Sequence, residues 1–187
     1  MSAANKVTLA RIALVPFMIA FMLLDGAAFP WAKFAAVAIF IIAASTDMLD
    51  GYLARKKKEV SPVGILLDPI ADKLLVCSAL IILTSQGKVH ALVVLIIIMR
   101  EFAVSGLRLV AAGSGHEIIA ASWLGKTKTI TQMVAIGFYI ADNFPFSYWN
   151  IPFAQIIMAI ALVFTLWSAV DYFKGSWSYL SEKKMQP

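Results

Sequence analysis

The sequence predicts an all-α polytopic membrane protein of six transmembrane helices with both termini cytoplasmic. Three observations predict it. The 187 residues are 61% hydrophobic, well above the roughly half expected of a soluble domain. Mean hydropathy is +0.83, and long apolar runs recur with short polar breaks. The basic residues gather in alternate breaks, as the positive-inside rule requires.

The predicted spans are 8–25, 31–55, 62–85, 89–112, 125–143 and 151–173. Each approaches the ~20 residues needed to cross a bilayer core. Backbone groups in lipid must pair internally, so each span is a helix. The first follows Lys6 and Arg11 and runs through the apolar stretch Ile12–Leu24. With Ala27 and Ala28 behind it, this stretch also resembles a signal peptide, a reading opposed by Asn5, Thr8 and Arg11, discussed below. The second span ends in Arg55-Lys56-Lys57-Lys58, and a short segment joins it to the third, so these two are antiparallel neighbours. The fourth carries the unbroken run from Ala91 to Met99, and the polar break Gly113–Glu117 follows it as a flexible loop. The fifth has the weakest signal, because Thr127, Lys128, Thr129, Thr131 and Gln132 crowd its start.

Lys6, Arg11, Arg55–Lys58, Arg108, Lys126, Lys128, Lys174, Lys183 and Lys184 fall on one side, which is therefore cytoplasmic. Asp25, Lys33, Lys88 and Asp142 fall on the other. Trp31, Tyr148 and Trp149 near the outer ends, and Trp177 and Tyr179 near the inner end, fit interfacial belts. No repeat or linker divides residues 1–187, which form one domain. The lone Cys77 excludes an internal disulfide and reads as a packing residue. A net charge of +5 is small for a nucleic-acid binder and is explained by topology, so no nucleic-acid partner is expected.

Four aspartates interrupt this apolar background. Asp47, Asp50, Gly51, Ala54 and Arg55 share one stripe of the second helix, and Gly64, Asp68 and Asp72 share one of the third. The two stripes converge roughly 10 Å inside the cytoplasmic mouth, from a rise of ~1.5 Å per residue. Ionisable groups in membrane segments are functional by default, and four carboxylates so close cannot all stay ionised alone. A divalent cation relieves the repulsion and suits an all-oxygen donor set, with Mg²⁺ or Mn²⁺ the natural choice. Two ions bridging a phosphoryl group is the arrangement used for in-line displacement. Gly51 and Gly64 leave room for a bulky ligand against the backbone, and Arg55 offers a planar fork to phosphate. A metal-ion transporter would also use intramembrane aspartates, but near the midplane on broken helices rather than at one face beside an arginine.

The pattern Asp-x2-Asp-Gly-x2-Ala-Arg-x8-Gly-x3-Asp-x3-Asp, met without departure at Asp47, Asp50, Gly51, Ala54, Arg55, Gly64, Asp68 and Asp72, resembles the signature of CDP-alcohol phosphotransferases. Three further stretches, Asn5–Arg11, Arg100–Arg108 and Gly125–Thr129, resemble the members that use glycerol 3-phosphate as acceptor. The resemblance implies that Asp47, Asp50 and Asp68 ligate metal and that Asp72 is both ligand and general base. It implies that Gly51, Ala54, Arg55 and Gly64, with Asn5 and Thr8, contact CDP-diacylglycerol, and that the enzyme is a multi-pass homodimer in the cell membrane. The phosphatidyl group would pass to the sn-1 hydroxyl of glycerol 3-phosphate at the cytoplasmic face; inositol phosphate, serine or phosphatidylglycerol are the alternative acceptors.

A phosphate dianion needs fixed cations. Arg108, Lys126 and Lys128 lie on the right side, with Arg100 next. Lys126 and Lys128 also read as positive-inside flanks, and Arg100 with Glu101 also reads as an intramembrane ion pair. His90 and His116 fall in loops and are not expected to bind metal.

Overall fold

The computed structural model describes residues 3–26, 28–57, 62–113 and 123–182, and describes side chains at 8–26, 28–46, 70–71, 73–107, 123, 125–172 and 174. Ala27, Lys58, the 114–117 part of the predicted loop with His116, Lys183 and Lys184 lie outside the described residues.

Among the described residues six α-helices follow the six apolar runs: α1 (Ala3–Leu24), α2 (Ala32–Lys57), α3 (Pro62–Ser85), α4 (Ala91–Gly113), α5 (Trp123–Ile140) and α6 (Phe153–Glu182). No strand occurs among the described residues. A short 3-10 turn, Phe146–Trp149, lies between α5 and α6 and was not anticipated. The main differences from expectation are at helix ends. α5 stops at Ile140 rather than 143 because Asp142 and Asn143 take left-handed backbone at φ 53° and 60°. There the amides of Asp142 and Asn143 bond back to the Tyr139 and Phe138 carbonyls at 3.3 and 2.7 Å, a Schellman closure. α3 ends in the same way at Gly87 (φ 70°), with the Gly87 and Lys88 amides each 2.9 Å from the Thr84 and Leu83 carbonyls. α6 continues well past 173, as a 30-residue helix.

α1 packs against both α2 and α3, and α5 packs along α6. α2 and α3 touch each other, α5 touches both, and α4 joins α3 to α6. α1 presents Val15, Met18 and Met22 to the core, where they meet Ala36, Phe40 and Ala43 of α2 and Leu75, Ala79 and Leu80 of α3. Small residues at these contacts let backbones approach, which is what drives helix association where lipid is as apolar as leucine. α6 buries Ala154, Met158, Ala161, Thr165 and Ser168 along one stripe and exposes Ile160, Val163, Trp167 and Val170 on another. Exposed large apolar side chains recur on every helix, among them Phe17, Ile41, Ile81, Leu95, Met99 and Ile130.

Among the described residues one helix, α6 over Phe153–Tyr172, is long and apolar enough to cross a membrane by length and composition. Shorter apolar helical stretches run over Thr8–Leu24, Ala32–Thr46 and Lys73–Ser85.

At one end of the bundle, Asp142 accepts from Lys33 at 3.0 Å and Lys88 at 2.6 Å. Lys88 also lies 3.7 Å from Asp25. The Gln86 amide donates to the Met22 carbonyl at 2.7 Å. The connections α1–α2, α3–α4 and α5–α6 therefore meet at a single end, and the four-aspartate segments lie towards the other.

Candidate active site

All eight signature positions are helical. Asp47, Asp50, Gly51, Ala54 and Arg55 occupy the last turns of α2, and Gly64, Asp68 and Asp72 occupy the first turns of α3. The 3.6-residue period therefore holds through both segments, and each set shares a face of its helix. The side chains of these eight residues, and of Asn5 and Arg108, lie outside the described set. The donor chemistry fits a hard divalent cation: carboxylate oxygens, on two helices that touch. α1 supplies buried polar groups at the matching end, Thr8 at 0% and Arg11 at 2% exposure.

A second polar centre is described in full. Glu101 of α4 accepts a hydrogen bond from the Lys128 ammonium of α5. Its Oε1 also lies 3.4 Å from Arg100 Nη1. Arg100 Nη2 donates to Ser168 Oγ of α6 at 2.9 Å, and the Ser168 hydroxyl donates to the Thr165 carbonyl at 3.0 Å. Lys128 is 3% exposed, Glu101 15% and Arg100 13%. One carboxylate thus holds two cations and ties three helices together. The ion pair expected of Arg100 with Glu101 is present, and Lys128, expected as an acceptor cation or a positive-inside flank, is buried against the same carboxylate.

Lys126 does not join them. Two residues along a helix is about 200° of rotation, and Lys126 is exposed while Lys128 is buried. The residues that sequence reasoning passed over as site members are Glu101, Ser168, Thr129, Gln132 and Lys73. Glu101, Lys128, Thr129, Gln132 and Lys73 line a cavity of about 20 Å³ between α3, α4 and α5. The readable signal for Gln132 was its i+4 spacing from Lys128, which puts both on one face. Ser168 gave none, being one hydroxyl in an apolar helix.

Comparison with known proteins bears on what these centres do. The profile of the CDP-alcohol phosphatidyltransferase family matches residues 1–167. The CDP-diacylglycerol–glycerol-3-phosphate 3-phosphatidyltransferase of Bacillus subtilis is 46% identical, over 94% of this chain and 95% of its own. That of Pseudomonas fluorescens is 36% identical over 96% and 92%, and CDP-diacylglycerol–glycerol-3-phosphate 3-phosphatidyltransferase 2 of Arabidopsis thaliana is 37% identical over 94% and 80%. With the whole signature helical and the match running through both polar centres, the chain belongs to the CDP-alcohol phosphatidyltransferase family.

Proposed function

We propose that this chain transfers the phosphatidyl group of CDP-diacylglycerol to the sn-1 hydroxyl of glycerol 3-phosphate, giving phosphatidylglycerol phosphate and CMP. The observation that carries it is the unbroken eight-position signature on two touching helices. The names of relatives that span nearly all of the chain support glycerol 3-phosphate as acceptor.

In the proposed reaction the acceptor hydroxyl attacks the diacylglycerol-bearing phosphorus. A new P–O bond forms, the P–O bond to CMP breaks, and CMP leaves with the electron pair. Asp72 takes the hydroxyl proton; a carboxylate positioned for this acts in the transition state, when the oxygen becomes acidic. Asp47, Asp50, Asp68 and Asp72 would hold the divalent metal, Mg²⁺ or Mn²⁺ and two ions in our reading. When bound, it supplies charge neutralisation on the diphosphate oxygens. Arg55 adds a bidentate contact to the diphosphate, and Gly51, Ala54 and Gly64 give it a path free of bulk. Asn5 and Thr8 extend that contact from α1. Arg108 binds the acceptor's phosphate, with Lys126 at the rim. Arg100 and Lys128, neutralised in part by Glu101, shape the same pocket from behind.

Six spans, cytoplasmic termini and an active site at the cytoplasmic face complete the proposal. The apolar outer surface supports lipid as the solvent, and the lysine and arginine asymmetry supports the orientation. A homodimer belongs to the same reading and rests on the family resemblance. The test is to incubate pure protein with CDP-diacylglycerol, divalent metal and a panel of labelled alcohols. Phosphatidylglycerol phosphate from glycerol 3-phosphate, with equimolar CMP, is the expected product. A different preferred acceptor, or release of CMP without lipid product, would refute it.

A further inference from the structure

The cavity between α3, α4 and α5 contains a polar atom with no partner. Gln132 is 3% exposed, lines the cavity, and its side-chain oxygen makes no hydrogen bond. A buried acceptor left unpaired destabilises the fold, so a group of this kind usually answers to something that arrives.

We infer that Gln132 is a specificity-determining residue that reads a hydroxyl of the acceptor alcohol. The inference deepens the proposed transfer to glycerol 3-phosphate and rests on it. Size decides first. The space beside Gln132, about 20 Å³, takes a water-sized group, and a hydroxyl is such a group. Chemistry decides next. The ammonium beside the cavity, Lys128, already donates to Glu101, and the Thr129 hydroxyl donates to the Gly125 carbonyl at 3.0 Å. The Gln132 oxygen accepts from neither of them, and a hydroxyl can satisfy the amide in either orientation.

Position agrees. Gln132 is one turn beyond Lys128 on α5, and Lys73 on the opposite wall follows Asp72 directly in sequence. Counting from the helix starts, Gln132 and Asp72 lie at depths of about 14 and 15 Å along α5 and α3. A three-carbon acceptor with its sn-1 oxygen at Asp72 carries its central hydroxyl on the carbon next to the one that bears the reacting oxygen. That hydroxyl is the group Gln132 would recognise.

The test compares glycerol 3-phosphate with 3-hydroxypropyl phosphate, which lacks only the central hydroxyl, in wild type and Gln132→Met. Methionine keeps the length and helix propensity and removes the hydrogen bond. Wild type is expected to favour glycerol 3-phosphate by roughly tenfold in kcat/KM, the scale of one buried hydrogen bond. In Gln132→Met the ratio should fall to about one, with the KM for CDP-diacylglycerol unchanged and the melting temperature equal or higher. A variant that keeps the tenfold ratio overturns the inference. So does a loss of melting temperature with the ratio intact, which would assign Gln132 to a structural water. The wild-type ratio decides even where the variant does not fold, because equal use of the two acceptors overturns the inference by itself. Lipid product from both acceptors with no discrimination sinks only the role of Gln132. No lipid product from glycerol 3-phosphate sinks the proposed function with it.

Discussion

Glu101→Gln is expected to destabilise the bundle far more than its isosteric shape suggests. Glu101 is the carboxylate shared by Lys128 and Arg100, and Lys128 is 3% exposed. Removing one partner of a buried pair costs about 3–5 kcal/mol, because the other charge is left buried and uncompensated. Glu101 and Arg100 are 15% and 13% exposed, so the lower end of that range is the better figure. In a chain of this size 1 kcal/mol moves the melting temperature by about 2–4 °C, which makes the loss roughly 6–12 °C. Lys128→Met should lose less, because Glu101 keeps Arg100 Nη1 at 3.4 Å. The double variant Glu101→Gln/Lys128→Met should recover part of the loss, since the buried ammonium is removed with its carboxylate while Arg100 stays without one.

The assay is thermal unfolding of the detergent-solubilised protein, followed by the fluorescence of its 5 tryptophans. Lys126→Met, on the exposed side of the same helix, is the control and should not move. Neutral hydrogen bonds between membrane helices average about 0.6 kcal/mol in double-mutant cycles. A coupling energy of about 2 kcal/mol or more therefore marks charge pairing rather than a simple hydrogen bond. If the double variant melts no higher than Glu101→Gln, the two residues are not an energetic unit and the reasoning fails.

Asp72→Asn should abolish turnover while CDP-diacylglycerol binding is largely kept, whereas Asp47→Ala should lose both; equal loss of binding in the two would make Asp72 chiefly a ligand. Arg108→Ala should raise the KM for glycerol 3-phosphate about ten- to a hundredfold, the scale of a desolvated charge-assisted contact, and leave that for CDP-diacylglycerol nearly unchanged. Lys126→Ala should shift it far less, being exposed and screened, and equal shifts for both substrates would move these residues out of the acceptor pocket. For Asp142, burial alone would raise the carboxyl, but hydrogen bonds from Lys88 and Lys33 more than offset it and hold it below the ordinary value of 3.8. A depressed folded value means stability that is present above pH 3.8 and lost as pH falls below it. The difference in melting temperature between wild type and Asp142→Asn should thus be constant from pH 8 to 5 and shrink below about pH 4; a difference independent of pH would remove the ion pairs from the account.

Helix existence was legible, as was the contact of α2 with α3 that their short connection implies, but the other pairings were not, for one physical reason. In water an amphipathic stripe shows which face turns inward, but here the outward faces carry Ile41, Leu95 and Val163 and are as apolar as the inward ones. The periodicity therefore located six helices without saying that α1 would lie against both α2 and α3. The usable cue in such a setting is small or polar residues at helical spacing: Ala154, Ala161, Thr165 and Ser168 mark the buried stripe of α6. The aspartate signature was legible down to its helical faces, since spacing alone fixes those. The Glu101–Lys128 pair was not, because 27 residues separate its members. Lys126 and Lys128 were grouped by their side of the membrane, although rotation about the helix axis separates them. Helix ends were misplaced where the backbone turns left-handed at Asp142 and Asn143, which polar residues permit but do not announce.

The fixed charges of this chain fall into two kinds. At one end Lys33 and Lys88 meet Asp25 and Asp142, two against two, and the cluster joins three interhelix connections. A balanced set has little left to attract a ligand, so its contribution is to geometry. Towards the other end charges of both signs gather. Asp47 and Asp50 lie late on α2 and Asp68 and Asp72 early on α3, while Arg100, Glu101 and Lys128 join α4 to α5. Charge in a low-dielectric setting is costly and marks function. A reaction that joins a metal-held diphosphate to an alcohol bearing a phosphate uses carboxylates and cations side by side. A metal transporter would need only the carboxylates, so Arg55 inside the aspartate signature, a planar fork suited to phosphate, is what favours transfer chemistry over transport.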